Sequence, residues 1–222
     1  MEYSKYIVPI YVDDDSNDNG FVGNGFIVNG LLIMPYHLIK LNHKDLFNTK
    51  VHPYFEYEFE GERIRTETES SVVNQGGYYG ELDNLKLAQD LLVFKTDIQD
   101  SDLSLTPDYD VKQDCWYCGY NINNKSGKLK MENVRMGNII HHKTISSVHE
   151  QWIELDNCMS CHCKMRNGHS GVPVFQNGKI IGMFIRDVTY VSGNSYSVFI
   201  KASYIISAIE KKLERKCLTL DT

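Results

Sequence analysis

The stretch Gly25-Phe26-Ile27-Val28-Asn29-Gly30-Leu31-Leu32-Ile33-Met34 sets two short apolar runs on either side of an Asn-Gly pair. Asn and Gly both tolerate the positive φ that a two-residue type I′ turn demands, so the stretch reads as a β-hairpin. The same pattern recurs outward along the chain. Leu91-Leu92-Val93-Phe94, Gly171-Val172-Pro173-Val174-Phe175 and Ile180-Ile181-Gly182-Met183-Phe184-Ile185 are further short apolar runs, and Gly76-Gly77, Asn167-Gly168 and Asn177-Gly178 punctuate them. Tyr6 to Val12 reads as another strand. The chain is predicted to be all-β.

One helix is expected, at the end, where Ile205, Ile206, Ile209 and Leu213 fall at helical spacing and Lys211, Lys212 and Arg215 sit near the negative end of the dipole. The segment Ser101 to Val111, with its Asp-containing turn clusters and a Pro, reads as a connector between two β halves. The predicted division is therefore residues 1–105, residues 106–200 and a C-terminal helix over 201–216, in one functional unit of 222 residues. The acidic run Asp13 to Asn19 and the segment Glu60 to Gly80 read as surface loops, open to a regulatory protein partner.

At 42% hydrophobic residues the chain can bury a sizeable core. A net charge of -6 and a pI near 5.7, with no basic run before the tail, give no footing for a phosphate backbone, so nucleic acid is not an expected partner. No apolar run approaches the roughly 20 residues that span a bilayer, and the N-terminal apolar stretch has no small-residue cleavage site after it. These features predict a cytoplasmic protein with no membrane association and, for its six cysteines, reduced thiols.

The chemistry concentrates at Asn167-Gly168-His169-Ser170-Gly171-Val172-Pro173-Val174. A Ser between two glycines sits in a turn where backbone N–H groups can converge on the oxyanion of a tetrahedral intermediate, at about 3 kcal/mol per donor. A serine hydroxyl is a weak nucleophile and needs a base held by a carboxylate. His37 follows the hydrophobic hairpin directly, and Asp90 directly precedes the strand Leu91-Leu92-Val93-Phe94.

With these three motifs in the order His, Asp, Ser, the chain resembles the trypsin/chymotrypsin-like serine peptidases. The matching segments are Gly23-Asn24-Gly25-Phe26 leading to His37, Asp90-Leu91-Leu92-Val93, and Gly168-His169-Ser170-Gly171-Val172-Pro173-Val174. The resemblance implies two six-stranded antiparallel β-barrels with a C-terminal α-helix and the triad between the barrels. It also implies a serine endopeptidase that acts on protein substrates through an acyl-enzyme; no cofactor is expected, and no metal is assigned to the site. Ser170 would be the nucleophile, His37 the base, Asp90 its orienting partner, and the N–H groups of Gly168 and Ser170 the oxyanion hole.

The chain departs from the zymogen-activated members by carrying His169 where they have Asp. That brings it nearer to bacterial glutamyl-peptidase-like, HtrA-like and viral chymotrypsin-like serine enzymes. Ile185 replaces a serine that often supports the catalytic Asp, so Asp90 is expected to find other support. By the family's pattern Lys164 and Arg186 would line the substrate pocket, where two cations would favour an acidic side chain, although Phe184 replaces the His of glutamyl-type members.

Two rival readings stand beside this one. The fold alone does not guarantee activity, so an inert two-barrel binding domain has the same sequence signature. Cys115 and Cys118, with Cys158, Cys161 and Cys163, form a CxxC…CxxC pattern that would suit a structural zinc in an interaction module. Cys115 to Tyr120 also reads as the first strand of the second barrel, in which alternate side chains face opposite ways.

Overall fold

The computed structural model of the protein describes residues 2–12, 20–40, 51–76, 90–122, 128–140, 144–146, 152–154, 158–161, 165, 168–189 and 195–218. The first half contributes β1 (Ile7–Tyr11), β2 (Phe21–Val28), β3 (Leu31–Met34), β4 (Tyr54–Phe59), β5 (Glu62–Glu67), β6 (Val73–Gly76) and β7 (Asp90–Lys95). They form one antiparallel half-barrel sheet in the order β5-β4-β1-β2-β3-β7-β6. The hairpin expected over residues 25–34 is β2-β3, with Asn29 at φ 48° and Gly30 at φ 75° and with Val28 opposite Leu31.

Asn177 (φ 52°) and Gly178 (φ 76°) make the same kind of turn, as do Glu60 (φ 51°) and Gly61 (φ 84°). The second pair corrects the sequence reading of Glu60 to Gly80 as loop: most of the described part is β5 and β6. β5 was hidden because it is an exposed edge strand with a single apolar residue, Ile64. It is held by its neighbours' rings, Arg63 lying 3.8 Å from the Tyr11 centroid and Arg65 3.4 Å from that of Tyr54. Asp13 to Asn19 and residues 77–80 lie outside the described residues.

The second half contributes β8 (Asp114–Ile122), β9 (Leu129–Ile140), the small pair β10 (Thr144–Ser146) and β11 (Trp152–Glu154), then β12 (Cys158–Cys161), β13 (Pro173–Gln176), β14 (Lys179–Thr189) and β15 (Ser195–Lys201). Six of these close a barrel in the order β12-β15-β14-β13-β8-β9. The connector between the halves is stapled to both. Ser101 Oγ donates to the Ile27 carbonyl at 2.6 Å, and the Ile180 amide donates to the Ser104 carbonyl at 2.9 Å.

Two apolar cores result. One fills the closed barrel with Tyr117, Val172, Val174, Ile181, Phe184 and Phe199. The other centres on Phe26, Phe55 and Phe94 of the half-barrel and runs on to the outer faces of β14 and β15. There it meets the helix α1 (Ala202–Leu218), which buries Ala202, Ile205, Ala208 and Ile209. Of the face read from sequence, Ile206 is only half-buried and Leu213 is exposed, because Ala208 takes the inward position.

The cysteines divide between the cores. Cys115 and Cys161 lie inside the closed barrel, their thiols donating to the carbonyls of Gly137 (3.1 Å) and Met136 (2.8 Å). Cys118 projects from the opposite face of β8 into the other core. That corrects the CxxC…CxxC reading, since Cys115 and Cys118 are turned apart by the pleat. Cys163 lies outside the described residues. Among the described residues no group of three or more His, Cys, Asp or Glu is placed to hold a metal ion, and no helix is long and apolar enough to cross a membrane.

Candidate active site

His37 lies in the 3-10 turn Tyr36–Ile39, which Pro35 starts immediately after β3. Asp90 is the first residue of β7, and because Met34 pairs with Leu92 across β3 and β7, the turn is carried over Asp90. The carboxylate is 1% exposed and makes two bonds to one residue. Its Oδ2 lies 2.6 Å from His37 Nδ1, and its Oδ1 accepts the His37 backbone N–H at 2.8 Å. The support missing at Ile185, itself buried, is thus supplied in part by the backbone of His37. Burial, with the nearby Asp90 charge adding to it, raises the Tyr36 phenol above its ordinary value.

Ser170 is half-buried in a turn anchored from both halves of the molecule. Within the closed barrel, the Gly171 N–H donates to Phe184 O at 2.9 Å and the Val172 N–H to His169 O at 3.1 Å. From the half-barrel, the Asn24 N–H donates to Ser170 O at 2.7 Å, and its side-chain Nδ2 donates to Gly168 O at 2.8 Å. A Cβ on Gly23 would meet Ser170 O at 2.8 Å and Leu38 Cδ2 at 2.7 Å. The Ser170 carbonyl and the turn bearing His37 therefore close on the same glycine. Gly171, at φ 86°, lies against Pro35, two residues before His37.

His169 is fully buried inside the barrel, tilted on the Tyr117 ring at 5.0 Å with its Nε2 3.3 Å from Glu132 Oε2. Gly168 has φ 92°. Of the two residues predicted to line the pocket, Arg186 is half-buried on β14 and Lys164 lies outside the described residues. The next residue, Asp187, is a feature the sequence reading passed over, its Oδ1 accepting from the buried Ser197 hydroxyl at 2.7 Å. Asn24 was passed over too, although a polar residue between two glycines in an apolar strand was a usable signal.

A half-barrel and a closed six-stranded barrel with a C-terminal helix define the two-barrel fold of the chymotrypsin-like proteases. Solved protease structures share it, among them the following three. The Rv3671c protease from M. tuberculosis in its active form aligns with TM-score 0.60 and 12% identity over 95% of this chain and 82% of its own. The MamO protease domain from Magnetospirillum magneticum aligns with TM-score 0.55 and 15% identity over 92% and 96%. Tobacco etch virus protease complexed with product aligns with TM-score 0.53 and 12% identity over 90% and 73%. At these identities the likeness establishes the fold. No protein-family model matches the sequence, and no curated protein matches it.

Proposed function

We propose that the chain is a serine endopeptidase that cleaves protein substrates, with residues 1–105 carrying His37 and Asp90, residues 106–200 carrying Ser170, and the terminal helix packed on the second unit. The observation that carries the reading is the pair of bonds from buried Asp90 to His37, beside a glycine-flanked Ser170 whose turn packs on the same hairpin. An imidazole held through Nδ1 presents Nε2 as base. Ser170 attacks the scissile carbonyl as His37 takes its proton, and the N–H groups of Gly168 and Ser170 receive the oxyanion. His37 then protonates the leaving amine, and water hydrolyses the acyl-enzyme. The three solved structures named above are described as proteases, which supports the same class of chemistry.

The reading gives Lys164 and Arg186 to the substrate pocket, where their charge would favour an acidic side chain, and it requires no cofactor. Labelling with a fluorophosphonate probe tests it. Wild type is expected to label, and Ser170→Ala and His37→Ala are not; folded wild-type protein that stays unlabelled would instead favour a two-barrel binding domain.

A further inference from the structure

We infer that Asn24 is a positioning residue for the nucleophile turn: through its side-chain amide and its own backbone N–H it fixes the peptide planes on either side of the Ser170 N–H. The inference rests on the reading of Ser170 as nucleophile. Asn24 is fully buried on β2, in the half-barrel. A buried amide must satisfy two donors and an acceptor, and here each has a partner in the other half of the molecule. Nδ2 donates to Tyr120 O at 3.1 Å and to Gly168 O at 2.8 Å, while Oδ1 accepts the Tyr120 N–H at 2.7 Å. The fourth bond runs from the Asn24 N–H to Ser170 O at 2.7 Å.

The consequence for the turn follows from peptide geometry. Fixing Gly168 O fixes the plane of the Gly168–His169 peptide, and fixing Ser170 O fixes that of the Ser170–Gly171 peptide. The amide between them, which carries the Ser170 N–H, is held at both ends. A donor aimed in advance at the developing oxyanion stabilises the transition state more than the ground state, so loss of aim slows the chemical step and leaves probe binding alone. The Tyr120 bonds hold the Asn24 side chain against β8, so the frame is rigid on its own side.

The test compares wild type, Asn24→Ala and Asn24→Asp for fluorophosphonate inactivation, resolved into a maximal rate and a half-saturating probe concentration, with thermal melting measured alongside. Asn24→Asp keeps the shape and the acceptor but leaves at most one side-chain donor, the O–H of the neutral acid, for the two carbonyls, so it carries the test if Asn24→Ala does not fold. Well below each variant's melting point, the maximal rate is expected to fall about tenfold or more, with half-saturation unchanged. A variant that melts lower but reacts at the wild-type maximal rate would make Asn24 purely structural and overturn the inference. Wild-type protein that fails to label would overturn the nucleophile reading, and the inference with it; the two failures are thus distinguishable.

Discussion

Asp90 grips His37 at two points, its Oδ2 at 2.6 Å from the ring Nδ1 and its Oδ1 at 2.8 Å from the backbone N–H. Both contacts need an acceptor. Asn at this position presents an NH2 group to one of two donors, so either the ring takes the wrong tautomer or the turn loses its anchor. Asp90→Asn is expected to lower the fluorophosphonate labelling rate by about 10⁴-fold, the scale of the same change in a Ser-His-Asp hydrolase. The folded variant's labelling rate checks this, and a rate within tenfold of wild type would remove Asp90 from the catalytic reading.

Gly171 and Gly137 have nearly the same φ, 86° and 83°, and very different surroundings. A Cβ on Gly171 would overlap the Asn24 carbonyl oxygen, whereas one on Gly137 meets nothing within 4 Å. Gly137→Ala is therefore expected to cost only the backbone term, about 1–2 kcal/mol, and to keep its reactivity. Gly171→Ala must displace β2 or the Ser170 turn and is expected to lose labelling. Thermal melting and probe labelling of the two variants separate backbone strain from steric conflict.

The β2-β3 hairpin could be read because Asn29-Gly30 fixes the turn locally, whereas an apolar run beside His37 or Asp90 says little alone, and the two were brought together in the sequence only by the order of three motifs that the chain shares with a family it resembles. β5 could not be read: Glu62–Glu67 looks like a charged loop until Tyr11 and Tyr54 are known to lie beneath its two arginines. Asn24 is the same case at the site, since its partners are 96 and 144 residues away along the chain. The cysteine spacing left a zinc site and a strand open side by side, and the strand separates the first pair, because a CxxC pair within a strand sends its two thiols to opposite faces.

Those thiols give a third expectation. Cys115, Cys118 and Cys161 are buried, and burial raises the Cys118 thiol above its ordinary value, disfavouring the reactive thiolate. In a variant with Cys158, Cys163 and Cys217 changed to Ser, no thiol is expected to react with a disulfide reagent until the protein unfolds, and a zinc chelator is expected to leave the melting temperature of the wild-type protein, with all six cysteines, unchanged. Rapid reaction of a native thiol would contradict the burial.

Tyr11 makes the alkaline limit of stability testable. Burial, reinforced by the negative charge of Glu58, pushes its phenol up to about 12, and its hydroxyl donates to Glu58 Oε2 at 3.2 Å. The unfolded chain releases the same proton near about pH 10, so between about pH 10 and 12 the native state holds more protons than the unfolded one. Stability must then fall as pH rises through that window, and this group contributes no slope well below it. Tyr36, Tyr57, Tyr109 and Tyr120 are raised by burial as well, so the loss is shared. Tyr11→Phe deletes one hydrogen bond, at about 1 kcal/mol near neutral pH, and also deletes one titrating group. Denaturant unfolding as a function of pH is therefore expected to give a variant curve that starts lower than wild type and declines less steeply above about pH 10. Curves that stay parallel throughout would mean that the Tyr11 phenol titrates no differently in the native state than in the unfolded chain.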